Sequence, residues 1–341
     1  MITTQSLLKP FLLKSSAALR KLTGQKQLPL KCCSTYLSTC LLKSRTLIRV
    51  SGRDSNKLLQ GLITNDMMEL QGSQSSSIYS MLLNAQGRCM FDTLLYKLDN
   101  SKEEYMVEVD SSVTDTVIKH MKLYKLRSKV SFEDCSSYKV YAMFMDNKTL
   151  ISKEDILSSF NHEDAFVFTD PRTDLMGLRL IVKQNGAGES ALIDNYQLTD
   201  SNEYTNHRLA LGVSEGHAEV HGVMPLELNL ALLNGVSFNK GCYIGQELVA
   251  RTHHTGVIRK RIMPLKVLSA NTGNEHVQLG AAIRSNKNKR IGKLIAMNDN
   301  CGLGLMRLQE TLKESSPLNI EGIVELNATK PEWWPDDLQF K

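Results

Sequence analysis

Residues 239–251 read N-K-G-C-Y-I-G-Q-E-L-V-A-R, and this stretch holds the chain's densest group of chemically unusual residues. Gly241 and Gly245 allow the backbone to turn tightly, and helix-like spacing follows Gly245. Lys240 lies two positions before Cys242, and both an ammonium group and a helix N-terminus favour a thiolate. The stretch therefore predicts a reactive or metal-binding thiol at Cys242, although a lone cysteine is more often a small buried apolar residue.

The segments around this stretch mix strands and helices without a regular βαβ repeat. On the N-terminal side, residues 78–83 and 90–98 have the pattern of two strands joined by a turn, and residues 55–63 have helical spacing. A further helix is predicted over residues 225–233. After about residue 258 only short β-like pieces remain. We therefore predict an α+β body over residues 45–257, with one or two subdomains, and a small β-barrel-like domain with a tail over residues 258–341.

The chain's positive charge is concentrated at its N-terminus. Residues 1–44 contain seven lysines and arginines and no acid, and without these seven the formal charge falls from +5 to −2. The body therefore lacks the basic surplus of a nucleic-acid-binding protein. A Leu-, Ser- and Thr-rich segment with spaced cations is typical of a mitochondrial transit peptide, although a disordered basic tail has the same composition. We predict a transit peptide over residues 1–44, cleaved between about residues 35 and 46.

Four cysteines follow the predicted transit peptide. Cys89, Cys135, Cys242 and Cys301 lie dozens of residues apart, without C-x-x-C or zinc-finger spacing. This spacing indicates neither a disulfide framework nor a self-contained metal site, as expected for a reducing mitochondrial matrix. No stretch approaches the roughly 18 apolar residues that a membrane-spanning helix needs, so we predict no transmembrane segment.

The stretch around Cys242 resembles the signature of the YgfZ-type iron–sulfur cluster assembly factors. That family is related to the folate-binding aminomethyltransferase of glycine cleavage, the T-protein. Further motifs agree in the same order along the chain, namely Leu59-Gln60-Gly61 with Thr64-Asn65-Asp66, Gln86-Gly87-Arg88 followed by Asp92, Asp170-Pro171-Arg172, and Pro225-Leu226-Glu227. The resemblance spans about residues 47–310, nearly the whole body, and implies a folate-binding aminomethyltransferase-like fold.

With the leader, the resemblance implies a factor that matures [4Fe–4S] proteins in the mitochondrial matrix. Iron–sulfur clusters commonly take about four protein thiolates, and Cys242 is the single cysteine in a plausible exposed turn. If Cys242 is a ligand, the other ligands must come from another chain in a heteromeric complex. The resemblance indicates an A-type iron–sulfur carrier protein as that partner, sharing a [2Fe–2S] cluster. Lys240 is then expected to tune the thiol, and Gly241 to let the backbone approach a ligand.

The resemblance also makes tetrahydrofolate a possible ligand, because a carboxylate suits its pterin and a guanidinium its glutamate tail. Candidate contacts are Asp66, Arg88, Arg172, Glu215 and Glu227. The alternative function is a tetrahydrofolate-dependent one-carbon (aminomethyl) transferase with Asp92 as proton acceptor. Ala210 stands where related transferases carry a glutamate, which argues against turnover and leaves enzyme activity undecided.

Several other residues have both a functional and a structural interpretation. His217 and His221 have the spacing of a metal-ligand pair, but flanking glycines argue against a helix and no third ligand is near in sequence. The adjacent His253 and His254 either line the cysteine's cleft, help bind a shared cluster, or sit in a solvated turn, which is the more common role. The paired tryptophans 333 and 334 more often anchor a tail than bind a partner. A thiol redox sensor at Cys242 is a third functional class.

Overall fold

A computed structural model describes residues 37–71, 77–98, 103–145, 150–159, 163–256, 258–270, 277–336 and 338. Residues 1–36, which form most of the predicted transit peptide, lie outside the described residues. Among the described segments, no helix is long and apolar enough to cross a membrane.

The body begins earlier than the sequence predicted. Leu37–Leu41 is strand β1, which pairs antiparallel with Tyr138–Met145 and parallel with Leu198–Thr199. Cys40, which we had assigned to the transit peptide, is fully buried in this sheet. Leucine, serine, threonine and cysteine suit both a transit peptide and a strand, so composition alone could not separate the two. Because β1 is an integral strand of the sheet, the first strand within the described residues begins at Leu37.

Two five-stranded sheets form the body. The first is antiparallel, in the order β3-β4-β5-β2-β6, with the bounds β2 Arg45–Ser51, β3 Ser77–Leu83, β4 Cys89–Tyr96, β5 Glu104–Asp110 and β6 Ser131–Asp134. The second has the order β10-β1-β7-β9-β8, with the bounds β7 Tyr138–Met145, β8 Ala165–Thr169, β9 Leu178–Lys183 and β10 Leu198–Thr199. Strands β3, β4 and β5 are buried along nearly their whole length, as expected for strands covered on both faces.

Helices pack against these sheets and between the domains. Their bounds are α1 Ser55–Leu62, α2 Thr114–Lys125, α3 Lys153–Ser159, α4 Ala187–Asn195, α5 Ser201–Ala210, α6 His217–Val220, α7 Gln246–Thr255 and α8 Leu308–Thr311. Helix α1 follows from its sequence, because Leu58, Leu59 and Leu62 recur at helical spacing and all three are buried.

The helix predicted over residues 225–233 is wrong, since this segment is a series of turns. Asn229 adopts a φ of +61°, which interrupts a helix, and its fully buried side chain bonds to the C-terminal domain. Its Nδ2 donates to Ile262 O at 2.9 Å, and its Oδ1 accepts from Arg261 at 3.2 Å. A tertiary contact therefore replaces the helical hydrogen bonds that the apolar spacing suggested.

The C-terminal domain is a closed six-stranded barrel, which confirms the predicted barrel-like domain. Its order is β11-β14-β13-β12-β15-β16, with the bounds β11 Lys260–Ala270, β12 Ala282–Arg284, β13 Arg290–Asn298, β14 Cys301–Arg307, β15 Leu318–Ile320 and β16 Val324–Ala328. Closure leaves no sheet edge unpaired. The predicted α+β architecture is likewise confirmed.

Candidate functional site

Cys242 lies in the irregular loop that leads into α7, and its side chain is exposed. The other described cysteines, Cys40, Cys89, Cys135 and Cys301, are buried or half-buried. Burial raises the pKa of Cys40 to about 11 and raises the pKa of the other three as well, which favours their neutral thiols. Among the described residues, Cys242 is therefore the thiol best placed to meet a ligand from outside the chain.

Lys240 fastens this loop to the end of α1. Its Nζ donates to three backbone carbonyls, those of Gln60 at 2.7 Å, Ile63 at 2.8 Å and Asn65 at 2.5 Å. Burial lowers the pKa of Lys240 to about 8, although Asp66 opposes that shift. An ammonium has three N–H bonds, and all three have carbonyl acceptors here. Lys240 thus positions the loop, and no N–H is left over for the thiol or a ligand.

Two glycines allow the loop to pack against the turn between β3 and β4. Gly245 has a φ of +78°, and a Cβ there would lie 2.5 Å from Asn84 O and 2.9 Å from Gly87 Cα. Gly87 has a φ of +77°, and its own Cβ would lie 2.7 Å from Gly245 O. The Gln86-Gly87-Arg88 motif therefore supports the cysteine loop. Gly241, in contrast, faces open space, so the structure shows no close approach at that position.

Aromatic rings flank the loop on the side of α7. The ring of Phe238 stacks on that of His253, with centroids 3.7 Å apart and planes 14° from parallel. His253 and His254 are exposed on α7, so the predicted solvated turn is helical instead. Phe238 remains 40% exposed. Cys242 is thus an accessible thiol on a hydrogen-bonded loop, four residues after the exposed ring of Phe238.

A cleft of about 790 Å³ adjoins this loop, and residues 236–239 line it immediately before Lys240. Its other walls include Asn65, residues 169–174 and Trp333. Of the predicted folate contacts, only Arg172 belongs to this lining. The predicted set is thus not gathered around one cavity.

Arg172 and Asp92 belong instead to a buried ion-pair network that joins the two sheets. Its charged members are between 0% and 7% exposed, and they are Arg45, Asp92, Glu108, Asp170, Arg172, Arg179 and Glu215. The link between the sheets is Arg179 of β9, whose guanidinium lies 3.7 Å from Glu108 of β5.

Both predicted site residues in this network have protein partners. Arg172 donates to Asp170 at 2.7 Å and to Glu215 at 2.8 Å. Asp92 accepts from Arg45 at 2.9 Å and from the N–H of Gly216 at 3.1 Å. Burial alone would raise the pKa of Glu215, but Arg179 and Arg172 hold it well below its usual range. These pairings make the network part of the core, not a set of free ligand contacts.

Arg45, Glu108 and Arg179 had not been singled out from the sequence. Glu108 and Arg179 are charged residues inside apolar runs, Y-M-V-E-V and L-R-L-I-V, whereas Arg45 opens the mixed strand R-T-L-I-R-V-S and carries no such signal. A charge at a buried strand position requires an opposite charge nearby, because an unpaired buried charge is very costly. Such charges in the sequence could have predicted that a buried ion-pair network exists. They could not have predicted which residues pair with each other.

The other predicted folate contacts are dispersed. Asp66 caps the 3-10 helix Met67–Leu70 by accepting from the N–H of Met68 at 3.0 Å. Arg88 is exposed, in the turn that supports the cysteine loop. Burial raises the pKa of Glu227, which is 9% exposed, and Lys260 and Arg88 oppose the rise. Asp66 is therefore a capping residue, while Arg88 and Glu227 lie near each other.

The histidine pair and the tryptophans have structural contacts. His217 Nδ1 lies 2.9 Å from Met90 O, and its ring is 4.5 Å from that of His221. Within the described residues, no group of three or more His, Cys, Asp or Glu side chains could hold a metal ion. Trp333 Nε1 donates to Leu211 O at 2.7 Å, and Trp334 is buried against the barrel. The tryptophans therefore anchor the tail to the rest of the chain.

Comparisons with known proteins agree with this architecture. The family model "GCVT N-terminal domain" matches residues 42–144, and "CAF17, C-terminal beta-barrel domain" matches residues 259–336. The glycine cleavage system aminomethyltransferase T of Bartonella henselae has a similar fold, with a TM-score of 0.67 at 14% identity over 89% of this chain and 87% of its own. At that identity, the likeness establishes the fold alone.

Curated relatives are closer in sequence. The iron–sulfur cluster assembly factor IBA57, mitochondrial, of Homo sapiens is 38% identical, over 86% of this chain and 84% of its own length. The corresponding protein of Mus musculus is also 38% identical, over 87% and 86%. This chain therefore belongs to the family of mitochondrial iron–sulfur cluster assembly factors called IBA57.

Proposed function

We propose that this chain helps mature [4Fe–4S] proteins in the mitochondrial matrix, with Cys242 supplying one thiolate to a [2Fe–2S] cluster shared with an A-type carrier. The cluster is cargo, held between the two proteins and passed on. The proposal assigns the chain no catalytic turnover.

The observation that carries the proposal is the exposed thiol of Cys242 on a rigid loop. A cluster commonly needs about four protein ligands, and a single accessible cysteine cannot supply them. The described residues contain no cluster of potential metal ligands that could complete the set. A heteromeric complex resolves this shortage, because the carrier's cysteines would occupy the remaining positions.

The loop's construction supports the same role. A shared ligand must be presented without first ordering a flexible segment, because ordering costs binding free energy. The three carbonyl contacts of Lys240 and the close packing of Gly245 against Gly87 fix the backbone on either side of Cys242. The thiol is thus pre-organised for a partner.

The transferase alternative lacks an available base. Asp92 is 1% exposed, and its two oxygens accept from Arg45 and Gly216. A proton acceptor must lie within hydrogen-bond reach of its substrate, which Asp92 could reach only after its ion pair broke. Tetrahydrofolate binding stays a prediction. Arg172, which lines the 790 Å³ cleft, already donates to Asp170, Glu215 and Tyr204.

The proposal is tested in cells depleted of this protein and re-supplied with variants. Cys242→Ser is expected to abolish recovery of mitochondrial [4Fe–4S] enzyme activities, whereas Cys301→Ser, the matched control at a half-buried thiol, restores them. If Cys242→Ser restores these activities while Asp92→Asn, present at the wild-type level and folded by circular dichroism, does not, the transferase alternative replaces the assembly role. Selective oxidation of Cys242 by mild peroxide, with full maturation activity in Cys242→Ser, would instead indicate a redox sensor.

A further inference from the structure

A second concave surface lies beside the cysteine loop, and Ile244 of that loop is one of its lining residues. This apolar groove measures about 810 Å³ and runs between α1 and the C-terminal end of α2. Its apolar lining consists of Leu58, Leu62, Tyr124, Leu126 and Ile244. The groove is thus separate from the cleft, with which it shares no lining residue.

Two exposed leucines lie at the C-terminal end of α2, and one of them, Leu126, lines the groove. Leu123 is 67% exposed and Leu126 is 86% exposed. Leu126 also has a φ of +47°, at a helix end where glycine or asparagine is the usual residue. Large apolar side chains that cluster at the surface commonly mark an interaction site.

Positive charge is concentrated on the elements that form this groove, and Lys57 and Arg127 line it directly. Six exposed or half-exposed basic side chains lie on α1, on α2 and in the turn that follows α2, and they are Lys57, Lys119, Lys122, Lys125, Arg127 and Lys129. None of the six forms an ion pair with a described carboxylate. Of the nearby acids, Asp54 already accepts from the Lys129 N–H at 2.6 Å, and Asp115 lies in the first turn of α2. The rim is therefore net positive and complementary to an acidic surface.

The groove and the loop that carries Cys242 both contact the C-terminal end of α1. Ile244 lines the groove, and its N–H donates to Gly61 O at 3.1 Å. Lys240, on the other side of Cys242, donates to the carbonyls of Gln60 and Ile63. Because Ile244 is two residues from Cys242, their Cα atoms are at most about 7 Å apart. A protein seated in the groove would therefore lie next to the thiol.

We infer that this groove docks the protein that supplies the remaining cluster ligands, through an acidic surface bearing a protruding apolar side chain. This inference rests on the proposed function and gives it a binding surface. A protein fits better than a lipid bilayer for two reasons. The surface is concave, and the adjacent thiol needs ligands that lipids do not carry.

The test measures binding of the cluster-free A-type carrier to the full chain by isothermal titration calorimetry. Two double variants are compared with wild type. One combines Leu123→Glu with Leu126→Glu, and the other combines Lys122→Glu with Lys125→Glu. Each pair is expected to weaken binding about tenfold or more, as for truncation at the centre of an interface. Leu279→Glu, at a 62%-exposed leucine before β12, is the matched control and should bind like wild type.

Raising NaCl from about 0.05 M to about 0.5 M should weaken carrier binding by wild type more than carrier binding by the lysine double variant.

Cys242→Ser separates this inference from the proposed function. It should bind the cluster-free carrier within about twofold of wild type, because docking precedes ligation. If the groove variants bind the carrier like wild type while Cys242→Ser loses the shared cluster, the groove inference is wrong and the proposed function stands. If the groove variants bind weakly while Cys242→Ser keeps the shared cluster, the docking surface stands and the cysteine assignment falls.

Two other occupants of the groove have their own signatures. Loss of cardiolipin-vesicle binding in the groove variants, with carrier binding unchanged, would assign the surface to a membrane. A wild-type dimer that becomes monomeric in the leucine variant, again with carrier binding unchanged, would assign it to a second copy of this chain. Either result overturns the inference.

Discussion

The buried ion-pair network and the Cys242 loop both contain residues that the sequence nominated for chemistry, yet they are built in opposite ways. In the network, Arg172 and Asp92 have protein partners and are almost fully buried. In the loop, the backbone is fastened by Lys240 and Gly245 while the cysteine side chain is exposed. The difference indicates that the nominated residues of the network stabilise the core, whereas Cys242 is the nominated residue that a ligand from outside the chain can reach.

The largest expected effect is on the network. Glu215→Gln removes the carboxylate that accepts from Arg172 at 2.8 Å and from Arg179 at 2.5 Å. Breaking a buried ion pair by removing one partner costs about 3–5 kcal/mol, because the remaining charges stay buried. Urea unfolding followed by circular dichroism measures this loss. Arg88→Gln, at an exposed arginine, should stay within about 0.5 kcal/mol of wild type, and equal losses in the two variants would contradict the comparison.

Acid should weaken the network, because its carboxylates must stay ionised to pair with the arginines. Arginines hold the pKa of Asp170 and Glu215 below the usual values of 3.8 and 4.5, despite the opposing effect of burial. The unfolded chain therefore binds protons more readily, and the stability from these groups, complete above about pH 4.5, is lost as the pH falls through their folded values. Thermal melts between pH 7 and pH 3 should show a steeper decline for wild type than for Glu215→Gln. Parallel declines would mean that Glu215 is not held ionised.

The next effect concerns the packing beneath the thiol. Gly245→Ala places a Cβ 2.5 Å from Asn84 O at a φ of +78°, whereas Gly241→Ala meets open space. We expect Gly245→Ala to lose about 2 kcal/mol and to weaken cluster sharing, because strain at positive φ displaces the loop. Gly241→Ala should lose less than about 0.5 kcal/mol. If the two variants unfold at the same urea concentration, the loop is not held by this contact.

A smaller effect is expected for Lys240→Met, which removes the three carbonyl contacts and should cost about 1 kcal/mol. The pKa of Lys240 is lowered by burial from 10.5 to about 8. Between these values the unfolded chain binds the proton more tightly, so wild-type stability relative to Lys240→Met should rise from pH 8 towards pH 10.5. Urea unfolding of both proteins at pH 7 and pH 9.5 checks the sign, and a falling difference would contradict it.

The sequence predicted the architecture better than it predicted the roles of single residues. Apolar spacing located α1 and the β3–β4 pair, because such patterns directly encode which face is buried. Arg172 was predicted to contact folate because of the resemblance and because a guanidinium suits a glutamate tail. Its bond to Glu215 could not be predicted, because the two residues are 43 positions apart and meet only in the folded chain. Strand β1 was not predicted, because its composition is also typical of a transit peptide.

The measurement that tests the central claim most directly is the visible absorption and circular dichroism spectrum of the full chain mixed with a [2Fe–2S]-loaded A-type carrier. The account predicts a new spectrum with wild type and with Cys301→Ser, one that is absent with Cys242→Ser and with either protein alone. An identical spectrum with Cys242→Ser, or a stable stoichiometric iron centre on the chain without a carrier, would contradict the claim that this exposed thiol completes its coordination with a partner's ligands.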